Sequence, residues 1–293
     1  MRTRGSTAAR TPSSGNTRRR GLVSAATMLP LALGLAGNMS APTKPAAMPA
    51  AGTTSAYHAK STACHPSLSS CPIFGCETEG TPHALVNEIK RQLPASGTPK
   101  NLAWEDFTAL QQDADSTVGQ DTDLDADARS RLHNLSVSSG RVSEGDLVQL
   151  AGFLVGNPHP NTGESVNCNL SGPANNDFHI PFASDPDQTP FQGIVVEMIP
   201  QNRPANWNIK VLKQIEAARR MVLVTGQLFY DNMHRVNPDQ DDSLSGQPPR
   251  FSLFEIHPIT SVAVCLRSDT SCDPSDRAAW ETLEDFAKAK SAP

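Results

Sequence analysis

In 293 residues, 38% of them hydrophobic and 5% aromatic, the chain carries a formal net charge of −5. That charge is unevenly spread: residues 1–60 hold eight of the 25 Lys and Arg and none of the 30 Asp and Glu. The rest balances 17 bases against 30 acids, a formal −13, which repels phosphate backbones and disfavours nucleic acid as a general partner.

The N-terminus begins with Arg2, Arg4, Arg10 and the run Arg18, Arg19, Arg20, followed by the uncharged stretch GLVSAATMLPLALGLAG. A basic segment before an apolar one predicts an export signal over residues 1–36, with cleavage in the small-residue tract AGNMSAPTKPAA. The stretch contains Pro30 and falls short of the roughly 20 residues a membrane-spanning helix needs, so no stable membrane span is expected. Thr17-Arg18-Arg19 leaves the twin-arginine route open beside the general one, and an organellar transit peptide is the alternative reading of the Arg- and Ser-rich start. Residues 37–63, rich in Ala, Pro, Ser and Thr, read as a disordered linker. The expected location of the mature protein is periplasmic or extracellular.

Cys64, Cys71, Cys76, Cys168, Cys265 and Cys272 make an even set, which in an exported chain reads as disulfides. Connectivity stays open among 15 possibilities, although Cys265 and Cys272 are close enough to staple a short loop. Zinc is the lesser reading, resting on His65 and His83 beside the first trio; no paired C-x-x-C occurs.

Residues 64–142 form a cysteine-containing helical extension, with Leu85, Ile89 and Leu93 at helical spacing and again Leu102, Phe107 and Leu110. Six aspartates, Asp113, Asp115, Asp121, Asp123, Asp125 and Asp127, follow. A calcium loop starting at Asp121 would need Gly and Glu where Ala126 and Leu132 stand, so a solvated acidic loop is expected.

From residue 143 the period becomes that of strands. GDLVQLAGFLVG is a long strand bent at Gly152; ESVNCNL and DFHIPFA are shorter strands, and GIVVEMIP is an apolar strand. WNIKVLKQIEAARR is a helix with Trp207, Val211, Leu212 and Ile215 on one face. MVLVTGQLFYD and SLFEIHPI, running on into TSVAVC, are the last strands. A mainly β chain with flanking helices, a long bent first strand and a helix between the third and fourth strands fits a small five-stranded OB-like Greek-key barrel over residues 143–267. An open β-sandwich is the alternative. Residues 268–293 read as a C-terminal helix, with Asp273 as N-cap and Pro274 at the first position, ahead of Trp280, Leu283 and Phe286.

The segments GDLVQLAGFLVG, ESVNCN, DFHIPF, VVEMIP, VTGQLFYDNMH and FEIHPI, over roughly residues 80–265, resemble an uncharacterised family of exported bacterial proteins with an OB-like core. Its D-x-x-H is matched by Asp231 and His234, and its W-E-I-H-P by Glu255, His257 and Pro258, with Phe254 in place of the tryptophan. The resemblance implies export and the barrel, and carries no activity.

Strand alternation puts Glu255 and His257 on one face and Phe254 and Ile256 on the other; Asp177 and His179 share a face in the same way. Glu197 interrupts an apolar run, where a carboxylate is costly unless paired or wet. Asp177, His179, Glu197, Asp231, His234, Glu255 and His257 therefore form a candidate polar cluster. If it holds a divalent metal, His179, His234 and His257 are the expected ligands. The bland reading is that these pairs tie loops to the barrel, His234 anchoring HRVNPDQDDSLSGQPPR. Two functions follow. One is a non-catalytic extracytoplasmic module binding a ligand or protein on a barrel face. The other is a metal-dependent hydrolase with Glu197 or Glu255 as base. Nucleic acid keeps only the basic residues Arg203, Lys210, Lys213, Arg219 and Arg220 around the helix.

Overall fold

The computed structural model describes residues 62–244, 246–267 and 272–291. The expected export signal, and the expected linker except for residues 62 and 63, lie outside the described residues.

The two longer helices ahead of the barrel are α1 (Pro82–Arg91) and α2 (Trp104–Thr117). Pro82 opens α1 and Thr81 caps it, accepting from Ala84 N at 3.2 Å, so a missing N–H and a side-chain oxygen meet the orphan donors of its first turn. The barrel consists of β1 (Leu147–Leu154), β2 (Phe178–Ala183), β3 (Ile194–Met198), β4 (Met221–Tyr230) and β5 (Phe254–Cys265). Helix α3 (Ile209–Ala217) joins β3 to β4, with Asn208 capping it by accepting from Val211 N at 3.1 Å.

β1 pairs antiparallel with both β2 and β4; β2 pairs with β3, β3 runs parallel to β5, and β5 pairs antiparallel with β4. The circuit β1-β2-β3-β5-β4-β1 is closed, as the OB-like plan requires and as an open sandwich would not be. Closure depends on Gly152, where β1 passes from β4 to β2. A Cβ there would sit 2.6 Å from both the Ala183 carbonyl oxygen and Trp104 Cζ2. A second close approach falls at Gly226, beside a register shift between β4 and β5, where a Cβ would stand within hard contact of the Pro258 carbonyl.

The barrel interior is apolar, with Leu150, Ile180, Phe182, Val196, Leu228 and Ile256 all buried. Phe107 and Leu110 of α2, Leu212 and Ile215 of α3, and Leu283 and Phe286 of the last helix, α4 (Leu283–Ser291), extend the same cluster. The described residues belong to one compact unit, so the extension, the barrel and the C-terminal segment share a core.

Three local expectations are corrected. ESVNCNL is not a strand: Ser165–Asn167 form a single 3-10 turn, and Cys168 and Asn169 have φ near 55°. That left-handed backbone breaks strand geometry, and Cys168 is tied to Cys71. The C-terminal helix begins ten residues after its expected cap. Asp276 caps a 3-10 turn, Trp280–Thr282 pair with the end of β5, and only then does α4 start, with Thr282 accepting from Asp285 N at 3.1 Å. The Cys265–Cys272 bond turns the chain back beside β5, where an open edge is available to Trp280.

The third correction matters most for the site. The buried residues of α1 are Ala84, Val86, Asn87 and Lys90, while Leu85 and Ile89 are half-buried and Leu93 lies beyond the helix and is exposed. The inward face is mixed, Asn87 and Lys90 beside Ala84 and Val86, because part of what it covers is polar.

The disulfides are Cys64–Cys76, Cys71–Cys168 and Cys265–Cys272, and no described cysteine is free. Cys64–Cys76 closes a loop within the segment before α1, and Cys71–Cys168 fastens that segment to the loop around residues 164–170. The aspartates after α2 serve turns and caps: Asp125 accepts from Ala128 N at 2.8 Å, and Asp123 lies 3.2 Å from His83.

Candidate functional site

Strand register places the candidate residues. His179 on β2 stands opposite Glu197 on β3, and Val196 stands opposite Ile256 on β5, so alternation turns His179, Glu197, Glu255 and His257 to the outside of the barrel. On a bare barrel that face would meet water. Here α1 and the 161–170 loop lie over it: Gln227 of β4 donates to Ile89 O of α1 at 2.9 Å, and Asn87 of α1 donates to Ser165 Oγ at 3.0 Å. The result is a second, charged interior outside the apolar one.

His257 is its centre, with 0% of its surface exposed. Its Nδ1 donates to Glu255 Oε2 at 3.3 Å and lies 3.2 Å from Glu197 Oε2, and its Nε2 lies 3.4 Å from Asp177 Oδ2. Asp177 and Glu197 are 0% and 2% exposed. Asp177 Oδ1 accepts from Asn167 Nδ2 at 2.9 Å, and Gln201 in turn donates to Asn167 Oδ1 at 3.1 Å. Glu255 Oε1 accepts from Arg250 Nη1 at 2.5 Å, and the same nitrogen reaches Asp231 Oδ2 at 3.2 Å. Asp231 Oδ2 also binds His234 Nδ1 at 2.5 Å. The chain of contacts thus runs from His234 through Asp231, Arg250 and Glu255 to His257, and ends on Asp177 and Glu197.

Burial acts on every group in this layer. It works against the charged form of His257, but the Glu197 charge and the contacts with Asp177 and Glu255 outweigh it and push the imidazole up to about 10. Glu197 is held well above the usual carboxylate range, first by burial and then by the negative charges of Glu164 and Glu255. For Asp177 the close imidazole overrides burial and the carboxyl sits low. Burial and the surrounding cations drive His179 well below its ordinary value, so that ring is neutral. Neither of its ring nitrogens has a hydrogen-bond partner among the described residues, and it stacks on His159 with centroids 5.0 Å apart.

His234 is different, its side chain 29% exposed. It borders a cleft of about 550 Å³ between α1, the 161–166 loop and the turn after β4, whose walls include Asn87, Lys90, Asn161, Thr162 and Glu164. Lys90 and Glu164 pair at 3.1 Å. Four carboxylates raise Lys90 well above its ordinary value despite its burial.

The three histidines do not share one metal position. Among the described residues, donor atoms of Asp177, Glu197 and His257, all buried, cluster within 4.8 Å; His179 and His234 stand outside that trio. A second cluster, Cys64, His65 and Cys168, has both sulfurs committed to disulfides. Glu197 and Glu255, 2% and 1% exposed, are out of reach of a substrate in the cleft.

Lys90, Arg250 and Asn167 were not legible as site residues. Lys90 lies one turn after Val86 on α1, so helical spacing alone puts them on one face. Arg250 has no comparable signal, lying in a long polar loop whose ends are brought together by Asn237 N donating to Arg250 O at 2.8 Å.

Of the basic residues around α3, Lys210 and Lys213 are exposed, while three are engaged by neighbouring groups. Arg203 lies over the Phe178 ring and donates to Met198 O at 2.7 Å, Arg219 pairs with Asp187, and Arg220 donates to Cys265 O. No family model, curated protein or solved structure matches this chain.

Proposed function

We propose that this is an exported, extracytoplasmic binding module that receives a small polar ligand, or the polar tip of a larger one, in the cleft beside α1. The observation that carries this reading is His234 at the cleft wall, its Nδ1 held by the buried Asp231. A ring fixed through one nitrogen presents the other in a set direction. The remaining lining, which includes the further carboxylate of Glu77, favours a hydroxyl-rich ligand without negative charge. Lys90 and Glu164 neutralise each other, while Asn161, Thr162 and Ser165 offer both donors and acceptors. Three disulfides and the basic-then-apolar N-terminus support the export half of the proposal, as does the resemblance of the D-x-x-H and F-E-I-H-P segments to exported proteins. Among the described residues no helix is long and apolar enough to cross a membrane.

The test is a thermal-shift and calorimetric screen with mono- and oligosaccharides and polyols. At least one should bind the wild type and bind His234→Ala roughly tenfold more weakly, the effect of losing one good hydrogen bond. If none binds, or His234→Ala binds equally well, the reading fails.

A hydrolase is the second reading, favoured by the same dyad, since an imidazole backed by a carboxylate is a suitable general base. Ester, glycoside and phosphoester substrates, assayed with and without EDTA, decide it: turnover no higher than that of His234→Ala ends it.

A further inference from the structure

We propose that Asp177, Glu197 and His257 form a buried binding site for one divalent first-row transition ion, of the zinc or manganese class, beneath α1 and apart from the cleft. The three residues come from the lead into β2, from β3 and from β5, and their donor atoms lie within 4.8 Å of one another. Asp177 Oδ2, Glu197 Oε2 and His257 Nε2 are all buried, and none takes part in a hydrogen bond among the described residues. Their contacts are ionic, Asp177 Oδ2 at 3.4 Å from His257 Nε2 and Glu197 Oε2 at 3.2 Å from Nδ1 of the same ring, and buried polar atoms without a hydrogen bond are costly enough to call for a further shared partner.

The spacing suits an ion. Two donors each about 2.0–2.1 Å from a tetrahedral zinc stand about 3.3–3.4 Å apart. Asp177 Oδ2 and His257 Nε2 are separated by 3.4 Å.

The groups behind the trio are arranged as a metal site needs. His257 uses Nδ1 on Glu255, leaving Nε2 turned to Asp177, and Glu255 is itself held by Arg250. A carboxylate on the far nitrogen fixes the tautomer and direction of a ligating imidazole. Asn167 does the same for Asp177 by occupying Oδ1 and leaving Oδ2.

Charge agrees. Four buried carboxylates, Asp177, Glu197, Asp231 and Glu255, lie around Arg250, while Lys90 is paired with Glu164, and this excess of negative charge favours a cation. An imidazole with two carboxylates selects borderline ions over calcium, which prefers six to eight oxygens. Closed to water, the ion serves to tie β2, β3 and β5 together beneath α1.

The experiment strips the purified protein with EDTA and titrates it with Zn²⁺, then Mn²⁺, against a chromophoric chelator, following the melting temperature in parallel. One equivalent should bind, raising the melting temperature reversibly. Asp177→Asn and Glu197→Gln should each weaken binding by roughly tenfold or more, and Glu255→Gln by roughly 10–100-fold through loss of the imidazole's support. His234→Ala should bind as the wild type does. Three results would overturn the site: no binding of either ion by the wild type, unchanged affinity in Glu197→Gln, or an equal loss in His234→Ala, which would place the ion at the cleft. Should Asp177→Asn fail to fold, the wild-type stoichiometry and the nearly isosteric Glu197→Gln still decide the matter.

Discussion

Arg250 Nη1 is shared by Asp231 and Glu255, and all three side chains are almost wholly buried. Replacing the guanidinium with an apolar group of similar length leaves two desolvated anions without their cation. Arg250→Met should therefore cost about 3–5 kcal/mol, read as a lower urea midpoint. The same contacts set an acid limit on stability. Burial opposes ionisation of Asp231, but His234 and Arg250 outweigh it, and its carboxyl lies well below the ordinary value. A folded value below the unfolded one, about 3.9, contributes stability that is fully present above that pH and lost as pH falls toward the folded value. Urea unfolding between pH 6 and pH 3 should show a steeper loss in the wild type than in Asp231→Asn; parallel curves would refute this. Much of the residue-level pattern was legible, because period-two alternation is local: Glu255 and His257 share a face whatever the fold. The cations were not legible, since Lys90 meets Glu164 across 74 residues and nothing local marks that encounter.

The element that shapes the site is α1, which buries polar residues alongside Ala84 and Val86. Its apolar Leu85 and Ile89 stay half-buried while Asn87 and Lys90 go fully inside, because the surface it covers is the polar outer face of β3, β4 and β5. Periodicity located the helix but not its inward face, which depends on what lies opposite. β1 is the contrasting case. Its long apolar run and central glycine read directly as a bent strand, and Gly152 is where that strand passes between partners. Gly152→Ala would push a methyl into Ala183 O and the Trp104 ring, so it should destabilise by about 1–3 kcal/mol. Equilibrium denaturation should show this as a shifted midpoint with an unchanged slope.

At the scale of the whole molecule, the two interiors rest on different forces. The apolar one inside the barrel is held by burial of side chains from every strand and from three helices. The charged one outside it depends on the extension staying in place, and Cys71–Cys168 spans 97 residues to fasten the two halves of its cover. Closing a loop of that length removes about 4.7 kcal/mol of unfolded-state entropy, against about 2 kcal/mol for the 7-residue separation of Cys265–Cys272. Cys71→Ser/Cys168→Ser should therefore lose more stability than Cys265→Ser/Cys272→Ser in guanidinium unfolding, and should also expose the charged layer to hydrogen exchange.

By itself the sequence determined the five barrel strands, the helix between β3 and β4, the shared strand face of Glu255 and His257, and the seven polar residues worth watching. Those follow from backbone periodicity and from the chemistry of neighbouring side chains. Only the tertiary structure decided which face of α1 turns inward, how the six cysteines pair, and that His257 gathers Asp177 and Glu197 while His234 stands apart on the cleft. Each of these depends on surfaces brought together from distant parts of the chain, where the cost of burying a charge is set by whatever partner arrives.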